Sequence, residues 1–113
     1  MSLDIYLGQH VDLGGPDGPE WFEAFEANIT HNLVPMWKLA GVCDALYEHH
    51  DGKAKDIAEA IDKGVEFMQT HPDECRALDA SNGWGTYKNA LPWLERLAAA
   101  CRRYPNATIR VSR

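Results

Sequence analysis

Nowhere in these 113 residues does an apolar run approach the ~20 consecutive residues of a membrane-spanning helix, so no membrane partner is expected. The opening Met1-Ser2-Leu3-Asp4-Ile5-Tyr6 lacks the basic and apolar regions of a signal peptide, which makes the cytoplasm the expected compartment. Cysteine is scarce: Cys43, Cys75 and Cys101 are odd in number and match no zinc spacing, and a reducing cytosol would keep them as free thiols. Serine is equally scarce, and neither Ser2, Ser81 nor Ser112 lies in a nucleophile elbow. The histidines form no HxxxH or HExxH pair, and on a helix the adjacent His49 and His50 would point about 100° apart. No metal and no cofactor is expected.

Bases are also short over residues 1–75, four against fifteen acids, whereas residues 76–113 hold seven bases against Asp79 and Glu95. Two readings fit this asymmetry. Either the two parts pack together and neutralise each other, or Arg102, Arg103, Arg110 or Arg113 builds a local site for an anionic small ligand. Duplex nucleic acid is not an expected partner, because the net charge is −6 and backbone binding needs many phosphate contacts.

What remains is an ordinary globular composition, 45% apolar and 25% charged, that fits one domain over residues 1–113. Leu3 to Leu7 alternates as a half-buried strand, and Gly14 to Pro19 is a dense turn signal. Residues 20–30 fit both a helix face (Trp21, Phe25, Ile29) and a strand; the preceding turn favours a hairpin partner. Helices follow over Leu33–Ala40, stopped by Gly41 and with Asn32 as expected N-cap, over Val42–Tyr47, and over Ala54–Gln69. In the last of these Ile57, Ile61, Val65 and Met68 form an apolar stripe, weakened slightly by Gly64. A short helical turn follows His71-Pro72. Thr86 is the expected cap of a final long helix, which Pro92 should kink or delay to Asn89. Thr108 to Val111 alternates again. The expectation is an α+β fold: a small antiparallel sheet, N-terminal hairpin plus C-terminal strand, against about four helices.

Two polar constellations carry the candidate chemistry. Asn28, Thr30, His31 and Asn32 place four hydrogen-bonding side chains within five positions, between an aromatic run and a helix. Each unpaired buried polar group costs roughly 1–3 kcal/mol. The cluster is therefore either a structural hydrogen-bond knot or the polar floor of a site in which His31 is a general base or a ligand donor. The second is Asn82-Gly83-Trp84-Gly85-Thr86-Tyr87. Its glycines allow unusual backbone angles, and Trp84 and Tyr87 offer aromatic walls for a flat ligand; the competing reading is a capping turn whose tryptophan plugs the core. Cys43 near His31, and Asp4 or Asp12 near the site, are further options that depend on the fold.

The opening Asp4-Ile5-Tyr6-Leu7, the block Ala27-Asn28-Ile29-Thr30-His31-Asn32-Leu33, the Asn82–Tyr87 turn and Tyr104-Pro105-Asn106-Ala107 together resemble a family of small phage, prophage and bacterial proteins. The likeness spans nearly the whole chain and departs from the pattern at Pro35 and Pro92. It implies an accessory protein that acts by binding, either inhibiting a host protein or sequestering a nucleotide signal used in antiviral defence. Asn28, Thr30, His31, Asn32, Trp84, Gly85, Thr86 and Tyr87 are the ligand-binding residues to carry forward. The leading expectation is a non-enzymatic binder of a small polar or anionic ligand. The alternatives are a small hydrolase or transferase with His31 as catalytic base, and a protein–protein inhibitor using its acidic helical surface. A homodimer is the base-rate oligomer.

Overall fold

Leu3, Ile5 and Leu7 are fully buried, and the strand that carries them organises the domain. A computed structural model, describing residues 2–113, extends this strand over Ser2–Val11 (β1), past the segment that alternation marks. The chain returns as β2 (Glu20–Thr30), and β3 (Thr108–Ser112) pairs along the other side of β1, giving an antiparallel sheet of order β2-β1-β3. Opposite pairs Leu3↔Ile29, Ile5↔Ala27 and Leu7↔Phe25 share the core face, joined by Val111 and Ile109 of β3. A bulge between Leu7 and Gly8 then shifts the register, so Trp21 lies on the face opposite Phe25 and Ile29. Gly8 is required there, because a Cβ would collide with the Phe22 carbonyl and the Trp21 ring.

A 3-10 turn at His31–Leu33 leads into α1 (Val34–Ala40), and α2 (Cys43–Tyr47) follows the left-handed Gly41. Next come α3 (Ala54–Thr70), α4 (Pro72–Arg76) and α5 (Tyr87–Arg103). The expected α+β architecture holds, with the 72–76 turn as a fifth, short helix. The stripe on α3 is as spaced: Ile57, Ile61 and Met68 are buried and Val65 is partly so. Gly64 is no flaw in it, since a Cβ there would run into Val42, and its absence lets α3 close on the α1–α2 junction. Trp37 and Trp93 meet in the core with ring centroids 5.6 Å apart. No helix among the described residues is long and apolar enough to cross a membrane.

Three local expectations are corrected. Thr30, not Asn32, caps the 3-10 turn, its Oγ1 accepting from the Asn32 amide at 3.2 Å. Thr86 makes no side-chain cap; Asp79 Oδ1 accepts from the Tyr87 amide at 2.7 Å and supplies the missing acceptor. Pro92 does not delay α5, which starts at Tyr87 and runs through it. The carbonyl that proline leaves without a donor belongs to Lys88, which is exposed and can take water instead.

Both readings of the charge asymmetry can be placed. Arg102 bonds Asp62 at 2.6 Å and Arg113 lies 3.6 Å from Glu48, so bases of the C-terminal part do meet acids of the first. Arg110 lies over the Trp21 ring and Arg103 over Tyr104, so the four arginines do not converge on one site.

Candidate functional site

The antiparallel register sets Ser2 opposite Thr30 and Asp4 opposite Asn28, at the end of the sheet where β2 turns into α1. All four side chains point to the face away from the helices. Asn28 Nδ2 donates to Asp4 Oδ1 at 2.7 Å and to Ser2 Oγ at 3.0 Å, a short polar row across the two strands. Asp4 therefore adjoins the cluster. Asp12 does not: it bonds the Gly14 amide in the hairpin turn at the far end of the strand.

Above this row sits the 82–85 turn. Asn82 Oδ1 accepts from the Trp84 amide at 2.9 Å, an Asx-type turn, and Asn32 Nδ2 donates to the Trp84 carbonyl at 2.9 Å. Gly85 is buried at φ +109°, where a Cβ would stand 3.0 Å from Asn32 Cβ and 3.2 Å from Thr30 Cγ2. Only glycine lets the turn press this closely on the 30–32 segment. The two polar constellations of the sequence, more than fifty residues apart, are thus one structure.

Between them opens a concavity of about 920 Å³ lined by Ser2, Asn28, Thr30, His31, Asn32, Asn82 and Trp84. Trp84 leaves 71% of its surface exposed at the rim, so it is not the core plug of the competing reading. Tyr87 is the reverse case: it is buried, its hydroxyl donates to the Met68 carbonyl at 2.7 Å, and Arg76 lies over its ring. It anchors α5 and is no wall of the cleft. Gly85 and Thr86 support the turn without lining the space.

His31 Nδ1 lies 2.8 Å from the Tyr47 hydroxyl. Burial, and secondarily the Cys43 thiol, push the Tyr47 phenol above its usual value while Arg113 opposes them, so it is a neutral O–H at physiological pH. A neutral phenol both donates and accepts, so this contact serves either imidazole tautomer and leaves Nε2 free of Tyr47. Arg113 packs over the Tyr47 ring at 5.6 Å, which makes it the one candidate arginine adjacent to this group. Backbone amides at the strand-to-helix junction find partners within the turn, Asn32 on Thr30 Oγ1 and Val34 on the His31 carbonyl.

Among the described residues the side-chain Oδ1 atoms of Asn28 and Asn32 and the Nδ2 of Asn82 have no protein partner. The cleft therefore presents acceptors, donors and an aromatic face, with no lysine or arginine in its lining. Elsewhere the histidines have local partners: His49 with Asp44 at 3.3 Å, His50 with the Val111 amide at 2.9 Å and Asp51 at 3.5 Å, and His71 with the Phe67 carbonyl at 3.0 Å. Among the described residues no three His, Cys, Asp or Glu side chains gather around one point. Sequence reasoning missed Ser2 and Tyr47. The hairpin register finds Ser2; nothing local to Tyr47 marks it, because its partner is sixteen residues away. No protein-family model, no curated protein and no solved structure matches this chain.

Proposed function

We propose that the cleft between the 28–32 block and the 82–85 turn binds a small ligand with a flat heterocyclic ring, of nucleoside or nucleotide type, and holds it without chemistry. The observation that carries this is the exposed Trp84 indole beside three asparagine side chains. Base–aromatic stacking contributes ~1–3 kcal/mol. The free side-chain oxygens of Asn28 and Asn32 and the Asn82 amide nitrogen supply acceptors and a donor of the kind that read a base edge. His31, held by Tyr47, adds a ring nitrogen at Nε2, and Arg113, stacked on Tyr47 and 3.6 Å from Glu48, is the cation next to that pair. The sequence likeness to small phage-type accessory proteins makes a nucleotide-derived signal of antiviral defence the first ligand to try, sequestered intact in counter-defence.

The test is titration of a panel of nucleosides, linear nucleotides and cyclic oligonucleotides, followed by amide and indole nuclear magnetic resonance. A binding member shifts the Trp84 indole and the Asn28, Asn32 and Asn82 side-chain resonances together, and is recovered unchanged. Recovery of a converted product, lost in His31→Ala, supports the enzyme reading instead. Shifts confined to the acidic face of α3 (Glu59, Asp62, Glu66) on adding host protein support the inhibitor reading.

A further inference from the structure

The sheet is longer than the body that covers it. β3 pairs with β1 only as far as Gly8↔Thr108, so Gln9–Val11 and Glu20–Glu23 continue as a two-stranded ribbon, closed by the 12–19 turn. This arm makes the molecule 52 Å long against 27 and 19 Å in the other directions. Its radius of gyration, 15.0 Å, exceeds the about 13 Å of a compact chain of this length. An isolated ribbon of two strands is marginal in water.

Past the bulge, Val11 and Phe22 turn to the same side as the core face, but no helix lies beneath them. They are 37% and 48% exposed, and Leu13 at the tip is 67% exposed. At the base of the same side is a mainly apolar notch of about 270 Å³ walled by Phe22, Ala24, Tyr104, Pro105 and Ala107, with Gln9 and Asn106 also in its lining. Its rim is cationic. Arg103 lies 5.3 Å over the Tyr104 ring that walls the notch, and it has no ion-pair partner among the described residues. The tip has the opposite charge, with Asp12, Asp17 and Glu20 and no lysine or arginine from residue 9 to 26.

One surface thus carries an apolar ribbon, an acidic end and a cation-rimmed apolar notch. The arm reaches about 20 Å at ~3.3 Å per residue, so its tip cannot fold back into its own notch. We propose that a second copy of this chain covers it: two arms lie antiparallel, face to face about a two-fold axis. Val11 and Phe22 pack between them, and each Leu13 enters the other copy's notch beside Arg103. The contact is self-complementary, as a two-fold interface requires. Pairing through the free β2 edge is disfavoured, because Glu20, Glu23 and Glu26 line that strand without a base and would meet their own kind. This dimer is independent of what the cleft binds.

Sedimentation equilibrium with the full chain at hundreds of micromolar tests it. The wild type is expected at twice 12.7 kDa, and Leu13→Asp and Phe22→Asp, both exposed, at the monomer mass with an unchanged circular dichroism spectrum. Arg103→Glu should weaken the dimer about tenfold, and adding Asp17→Lys should restore it, since opposite charges then meet again in both halves. A wild type that stays monomeric, or a dimer indifferent to Phe22→Asp, overturns the assignment to a second copy and leaves the arm for a different protein.

Discussion

Gly85 and Gly83 offer a controlled experiment on the contact that builds the cleft. Both have positive φ, +109° and +76°, so alanine strains the backbone at each. They differ in surroundings. A Cβ at Gly83 meets nothing within 4 Å, whereas at Gly85 it presses on Asn32 and Thr30. Gly83→Ala should therefore cost only the left-handed penalty, about 1 kcal/mol. Gly85→Ala adds the displacement of the turn and the loss of the Asn32–Trp84 bond, about 1 kcal/mol more for the bond alone, for a total of about 2–4 kcal/mol. At ~2.1 cal/mol/K per residue, 1 kcal/mol shifts Tm by about 4 °C for a chain of this length. The two variants should thus melt about 4 °C and about 8–16 °C below wild type in calorimetry. Asn32 side-chain amide resonances should move in Gly85→Ala alone. Equal Tm losses with an unmoved Asn32 would refute the reasoning that close approach of the turn holds the two blocks together.

Other substitutions probe the corrected local structure. Asp79→Ala should cost about 1 kcal/mol in a urea titration because it removes the acceptor for the Tyr87 amide, while Thr86→Ala should fall within about 0.5 kcal/mol. Gly64→Ala should destabilise by about 1–3 kcal/mol despite alanine's better helix propensity, because the added methyl runs into Val42; a stabilised variant would mean that α3 shifts freely. Burial pushes the Cys101 thiol from 9.0 up to about 11, so below pH 9 it is protonated in both states and its contribution is complete. Between pH 9 and 11 the unfolded chain ionises first, so stability should fall by about 2–3 kcal/mol, and Cys101→Ala should flatten that part of the profile.

The strands and long helices were legible because their patterns are local. Alternation at Leu3–Leu7, the glycine-rich turn, and the Ile57–Met68 stripe each state one burial periodicity without competition. The hairpin over residues 20–30 was legible from the turn before it, but the extension of β1 over Gly8–Val11 was not, because Gln9–Val11 lack a buried face and alternation has nothing to report there. A single bulged residue reversed the facing of Trp21, which no spacing rule anticipates. At the site, the polar residues of 28–32 were conspicuous by composition, and Trp84 by its glycines. Their union depended on the backbone angle of Gly85 and on a side-chain bond spanning fifty-two residues. Tyr87 looked like Trp84 in sequence. The helix periodicity of α5 turns it inward, toward Met68.

The most direct measurement is native mass spectrometry of the wild type and of Trp84→Ala, each purified gently from a host lysate and then denatured to identify what is released. The wild type is expected to carry an intact, ring-bearing small molecule at fixed stoichiometry, and Trp84→Ala to have lost it, with both proteins folded. A ligand retained equally by both, or a wild type that carries none and takes none from the nucleotide panel, would contradict the proposed binding.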